Sequence, residues 1–146
     1  MKTPPTIGGP LVLALACLAT AAGCGEQTDT RPATWSYIST AIVQPSCATA
    51  NCHSNLSQRS GVDLGEIREG YAQLVGRHFV LSERPQTSAL IALLKGSGTR
   101  RMPPDFALAD DDIDLISRWI TNGAPYDGPG SAPVVPVPAP LTAGGN

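Results

Sequence analysis

The sequence predicts an all-α fold, a small bundle of short helices between two ends that do not take part in it. Three observations favour this prediction. Apolar residues recur three and four positions apart in four separate segments, as they do on one face of a helix. No run of residues alternates between apolar and polar side chains in the manner of a half-buried strand. The bundle would occupy residues 35–127, between a polar segment and a segment rich in Pro and Gly.

The first helix is expected to begin after Thr34, because threonine is a good N-cap residue. Pro45 is expected to end this helix just before Cys47, since proline interrupts the helical hydrogen bonds. The apolar face of the helix would consist of Trp35, Ile38, Ala41 and Ile42.

Two short helices are predicted in the middle of the domain. The first covers about residues 66–75, and its apolar positions are Ile67, Tyr71, Leu74 and Val75. The second covers residues 89–94, where Thr87 or Ser88 can cap the beginning. Gly96 is suited to the end of this second helix, because glycine readily adopts the left-handed conformation of a C-cap.

The last helix has the clearest pattern. Its beginning carries three aspartates, Asp110 to Asp112, whose negative charge is favourable at the positive end of a helix dipole. Gly123 is expected to end it. Its apolar face would consist of Ile113, Leu115, Ile116, Trp119 and Ile120.

Residues 1–23 resemble the signal peptide of a bacterial lipoprotein. The apolar run 11–22 is too short to cross a bilayer as a stable helix and is typical of a signal-peptide core. It is followed by Gly23-Cys24, which with Ala21 and Ala22 resembles a lipobox, so Cys24 is the expected lipidation site. Residues 24–34 are polar and are predicted to form a tether. We therefore expect an exported protein, anchored by lipid to a membrane and facing the periplasm or the cell surface.

The C-terminal residues 128–146 contain five prolines and the pair Gly144-Gly145, and we predict that they are disordered. A spacer is more typical of this composition than a Pro-rich ligand for a partner domain. Removal of residues 1–23 would leave nine basic and twelve acidic residues, a formal charge of −3. No basic patch indicates a nucleic-acid partner.

Two cysteines and a histidine form the most informative motif, in which Cys47 precedes the pair Cys52-His53. Two thiols followed by an imidazole are typical of haem c attachment, because the thiols form thioether bonds and the imidazole reaches the iron. Four residues separate the cysteines here instead of the usual two, so the loop between them is expected to bulge. The same cysteines could instead form a disulfide in an exported chain. A zinc site would need two further ligands.

A second axial ligand is expected on the opposite side of such an iron. His78 is the other histidine of the chain, and Met102 is the methionine that remains after signal removal. Met102 lies beside Pro103 and Pro104, which stiffen its loop. A thioether on a rigid loop suits a soft axial ligand and raises the reduction potential. Met102 is therefore the favoured distal ligand, and His78 is the alternative.

Residues 35–127 resemble a small class I cytochrome c. The similarity depends on three pieces: Cys47 to His53, Arg101-Met102-Pro103, and the end of the last helix from Trp119 to Pro125. It is closest to the single-haem, often lipid-anchored domains of myxobacteria and planctomycetes.

This resemblance implies one haem c per chain, with Cys47 and Cys52 as the thioether attachments. It implies His53 as the proximal ligand and Met102 as the distal ligand. Arg100 or Arg101 could pair with a haem propionate, as a fork-shaped donor does well. The implied function is electron transfer between redox partner proteins, without an enzymatic activity of its own.

Two other functions remain open at this point. One is a binding or structural lipoprotein whose helical domain is closed by a Cys47–Cys52 disulfide. The other is a haem sensor or a peroxidase-like protein, which requires an open distal side.

Overall fold

The computed structural model describes residues 29–131, which form helices and turns without a β-strand. The all-α prediction is confirmed for this part of the chain. Helix α1 extends from Trp35 to Cys47 and is followed by α2 (Ile67–Gly76), α3 (Ala89–Lys95) and α4 (Asp110–Thr121). Two short 3₁₀ turns, Arg59–Gly61 and Pro85–Thr87, lie in the connections. Within residues 29–131, the helices are all too short or too polar to cross a bilayer.

The predicted helix positions are confirmed with one exception, which is the end of α1. Pro45 does not end this helix, because the backbone of Ser39–Val43 forms a π-helical turn and then continues as Gln44–Cys47. In the π turn the N–H of Gln44 donates to the carbonyl of Ser39, five residues earlier. A wider turn relieves the clash between a proline ring and the preceding turn of a regular α-helix. Cys47 is therefore the last residue of the helix, not a residue beyond it.

The core is organised around two indole rings. Trp35 of α1 and Trp119 of α4 are fully buried, and their ring centroids lie 5.1 Å apart. Tyr71 of α2 packs edge-on against both rings, at 6.0 and 6.3 Å. Each indole N–H donates to a backbone carbonyl, that of Trp35 to Ile67 at 2.7 Å and that of Trp119 to Pro125 at 3.0 Å. Three helices are thus joined at one aromatic cluster whose polar atoms are satisfied.

The helix-capping side chains differ from the predicted ones. Thr34 occupies the N-cap position of α1 but makes no capping hydrogen bond. The carboxylate of Asp127 caps this helix instead, since it accepts hydrogen bonds from the Ser36 N–H at 2.8 Å and the Ser36 hydroxyl at 2.6 Å. Ser88 is the N-cap residue of α3, but its hydroxyl oxygen accepts a hydrogen bond from the N–H of Leu81 at 2.9 Å, so it closes the preceding turn. The positions of both caps were right, but the capping bonds were wrong, because the distant Asp127 caps α1 and the Ser88 hydroxyl bonds to the turn before α3.

The described ends of the chain contact the helices. Arg118 of α4 donates to Asp29 at 2.8 Å, and Arg31 reaches both Asp29 and Asp112. At the other end, the carbonyl of Pro129 accepts a hydrogen bond from Arg68 at 2.9 Å. The predicted signal peptide 1–23, the lipidation site Cys24 and residues 132–146 lie outside the described residues.

Replacing Asp127 with Ala is expected to lower the free energy of unfolding by about 1–2 kcal/mol, because it removes the cap of α1 and two hydrogen bonds to Ser36. Urea denaturation of the two proteins measures this difference. The control is Asp105→Ala, since Asp105 is exposed in a loop and its substitution is expected to change stability by no more than about 0.5 kcal/mol. Equal effects of the two substitutions would contradict the capping role.

Stability is also expected to depend on pH through Asp29. Hydrogen bonds from Arg31 and then Arg118 hold the pKa of this carboxyl well below its usual range. The stabilisation is therefore fully present above the unfolded-state pKa of about 3.9 and is lost as the pH falls below it. Denaturation curves should show wild type more stable than Asp29→Asn near neutral pH, with a difference that shrinks in acid. A difference that stays constant with pH would exclude this ion-pair contribution.

Candidate cofactor-binding cavity

A cavity of about 450 Å³ lies between the end of α1, the segment that follows it, α3 and the loop before α4. Its wall is mainly apolar, with a small set of sulfur, imidazole and guanidinium groups. The lining residues include Cys47, Cys52, His53, Arg59, Val62, Leu64, Leu74, Phe79, Leu90, Leu93, Leu94, Arg100, Met102, Pro103 and Pro104. Four predicted attachment or ligand residues, from two segments far apart in sequence, thus share one wall.

The segment between the two cysteines forms a closed loop. The N–H of His53 donates to the carbonyl of Cys47 at 3.0 Å, and the N–H of Cys52 donates to that of Thr49 at 2.9 Å. Thr49, Ala50 and Asn51 are exposed at the outside of this loop. The predicted bulge is confirmed, and it leaves Cys47, Cys52 and His53 together on the cavity wall.

The His53 ring is oriented by the backbone that follows it. Its Nδ1 lies 3.3 Å from the carbonyl oxygen of Val62, a long hydrogen bond in which Nδ1 is the donor. A neutral imidazole that donates from Nδ1 keeps its lone pair on Nε2. The carbonyl of His53 accepts from the N–H of Leu64 at 2.7 Å, which ties the same residue to the wall a second time. The ring is thus prepared to act as a ligand through Nε2.

Another part of the wall comes from the loop that carries Met102. The N–H of Met102 donates to the carbonyl of Leu93 at 2.9 Å, so the loop is attached to the end of α3. Met102 is half-buried, and Pro103 and Pro104 line the cavity beside it. This arrangement brings the thioether side chain to the same cavity as His53.

Two predicted candidates do not reach the cavity wall. His78 is exposed in the turn after α2 and is not among the lining residues. Arg100 and Arg101 are both exposed, but Arg101 is not among the lining residues, and its Nε lies 3.5 Å from the carbonyl oxygen of Pro103. Its neighbour Arg100 does line the cavity. The geometry therefore distinguishes Met102 from His78, and Arg100 from Arg101.

Sequence reasoning missed part of this wall. Leu90 and Leu93 line the cavity while Ile91 of the same helix is buried in the core. A signal for this existed, because a helix that is apolar on all sides is buried on all sides, and residues 89–94 contain no polar side chain. Arg59 also lines the cavity, and nothing in the sequence marks it out from other arginines.

The electrostatics of the wall have two features. Arg59 and Arg100 are its cationic residues, and no Asp or Glu lines it. Burial, with a smaller contribution from Cys52, raises the pKa of the Cys47 thiol to about 11, so this thiol is protonated at neutral pH. Both cysteines are free thiols in the structure. Among residues 29–131, no three His, Cys, Asp or Glu side chains are grouped so as to hold a metal ion by themselves.

The size and lining of the cavity suit a mainly apolar small-molecule or cofactor ligand that carries anionic groups. Its volume is in the range of about 300–1,000 Å³ that small-molecule and cofactor sites occupy. Comparison of the chain with protein-family models, curated proteins and solved structures found no match.

Proposed function

We propose that this chain is an electron-transfer protein with a cytochrome c-like fold, which binds one covalently attached haem c. The observation that carries the proposal is the common cavity wall of Cys47, Cys52, His53 and Met102. Two thiols, an imidazole and a thioether are the groups that attach and ligate haem c. Because all four groups line one apolar cavity, a haem site is a better explanation of their positions than chance.

Each of these residues has a role in the proposal. Cys47 and Cys52 would form the thioether bonds, and His53 through Nε2 and Met102 through its sulfur would hold the iron. The carbonyl of Val62 supports the proximal role, because a hydrogen bond to the second ring nitrogen orients a ligating histidine and raises its basicity. Arg100, which lines the cavity, would pair with a propionate.

The remaining wall controls the environment of the cofactor. When bound, the haem iron supplies a one-electron redox couple. Val62, Leu74, Phe79 and the leucines of α3 exclude water and lower the local dielectric constant, both of which influence a reduction potential. Sulfur ligation by Met102 would raise this potential further. In this proposal the protein attaches the haem, ligates its iron and shields it from water. We assign the protein no enzymatic activity of its own.

The cellular setting in the proposal rests on residues outside the described part of the chain. The signal-like residues 1–23 and the lipobox-like sequence at Cys24 support export and a lipid anchor. The protein would then be held at a membrane of the cell envelope and exchange electrons with redox partner proteins there. Nucleic acid is not among its proposed partners.

Covalent attachment is tested by producing the full chain in a bacterium that has a working cytochrome c maturation system. We expect a haem stain that survives a denaturing gel and an intact mass raised by one haem, because two thioether bonds resist denaturation. Cys47→Ala with Cys52→Ala should abolish both signals. A colourless wild-type protein, or one whose mass shows only the loss of two hydrogens in a Cys47–Cys52 disulfide, would overturn the proposal.

The distal ligand is tested by Met102→Ala in the haem-loaded protein. We expect covalent haem to be retained, the sulfur–iron charge-transfer absorption of the oxidised form to disappear, and the midpoint potential to fall, because methionine ligation raises it. His78→Ala is the matched control, since His78 is the alternative ligand and lies outside the cavity wall. Unchanged spectra in Met102→Ala would remove Met102 from the ligand set.

A further inference from the structure

We infer that Arg59 and Arg100 together bind the two propionate carboxylates of the haem and raise its reduction potential; this inference rests on the proposed function. Arg59 is the new element, because no motif of the chain contains it. Arg101, the other arginine beside Met102, is excluded from this role.

The first argument is the charge of the cavity wall. Arg59 and Arg100 are the cations that line it, and no acidic residue lines it with them. Within residues 29–131, neither guanidinium forms an ion pair or a hydrogen bond with another side chain or carbonyl. By contrast, Arg77 donates to the carbonyl of Gly61 at 2.7 Å. Two unpaired guanidinium groups beside an apolar cavity favour a ligand with an apolar body and anionic groups.

The second argument is the position of Arg59 in the chain. Its backbone N–H donates to the carbonyl of Cys52 at 3.0 Å, so Arg59 is tied directly to the segment that carries His53. Its neighbours Gln58 and Ser60 adopt left-handed conformations, with φ of 41° and 59°. Such conformations are unfavourable for residues other than glycine and persist where the surrounding contacts fix them. The turn is therefore defined, and Arg59 within it is exposed and lines the cavity.

The third argument is that each ligand-bearing segment supplies one arginine. Arg59 follows the proximal His53, and Arg100 precedes the distal Met102. A haem has two carboxylates at one edge, and two guanidinium forks can each bind one of them in a bidentate manner. Arg101 lies outside the wall, where its Nε is near the carbonyl oxygen of Pro103.

This pairing has a consequence for the potential. A guanidinium next to a carboxylate keeps that carboxylate ionised and offsets its negative charge. If the guanidinium is removed, the unpaired negative charge near the iron favours the oxidised form, so the midpoint potential falls. The carboxylate pKa also rises, so the carboxylate is partly protonated in acid. The potential of such a variant then decreases as the pH increases through that pKa.

The experiment compares midpoint potentials of the covalently loaded proteins by spectroelectrochemistry between about pH 5 and pH 8, the range in which such a raised carboxyl pKa is expected. The variants are Arg59→Gln, Arg100→Gln and both together, with Arg84→Gln as the matched control because Arg84 is exposed and outside the wall. We expect each single variant to lower the potential. In the double variant, the ratio of reduced to oxidised protein at a fixed applied potential should fall about tenfold. For one electron, this corresponds to a midpoint potential lower by about 59 mV.

The midpoint potentials of wild type and Arg84→Gln should be equal, and they should vary less with pH than the potentials of the other variants. Arg59→Lys, which keeps the charge and loses the fork, should lie between wild type and Arg59→Gln. A potential of Arg59→Gln equal to that of Arg84→Gln at every pH, with haem attached in both, would overturn this inference and leave the proposed function intact. Absence of covalent haem from the wild-type protein would overturn both.

Discussion

The contact between Trp35 and Trp119 is the constraint on which the rest of the structure depends. It fixes α1 against α4, and the hydrogen bonds of the two indoles to Ile67 and Pro125 fix the depth of each ring. Buried aromatic pairs with satisfied N–H groups are specific in geometry as well as stabilising. Because α1 continues through its π turn to Cys47, the direction set at Trp35 influences where Cys47 reaches the cavity. The aromatic cluster thus positions the helix that carries Cys47, although none of the aromatic residues of the cluster lines the cavity.

Helix α3 links this core to the cavity. Ile91 is buried in the core, Leu90 and Leu93 line the cavity, and Leu94 does both. A domain of this size buries a modest fraction of its surface, and small domains commonly need an additional element to be stable. An apolar cofactor bound against α3 would remove the remaining leucine surface from water, and so contribute to stability as well as to redox chemistry. In the proposed function, folding and cofactor attachment therefore reinforce each other.

The sequence predicted the features that local patterns determine. The four helices and the acidic beginning of α4 follow from periodicity and capping preference, and the left-handed Gly96 follows from its position after α3. The sequence did not reveal that Asp127 caps α1, that a π turn carries the helix past Pro45, or that Arg59 reaches the cavity. Each of these depends on a contact or backbone adjustment that the local pattern does not contain. The choice of Met102 as distal ligand also came from a local pattern, a methionine followed by two prolines, and it stays a prediction.

The spacing of the two cysteines shows how a motif and its geometry differ. Two extra residues in the loop would displace one sulfur if the chain kept a regular path. Here the His53 N–H and the Cys47 carbonyl close the loop, and the additional residues extend into solvent. In the proposed function, the cavity needs a cysteine at the end of α1 and a Cys-His pair at the end of the loop, and all three residues line it with four residues between the cysteines. Under that proposal, the two points where the loop meets the wall matter more than the number of residues between them.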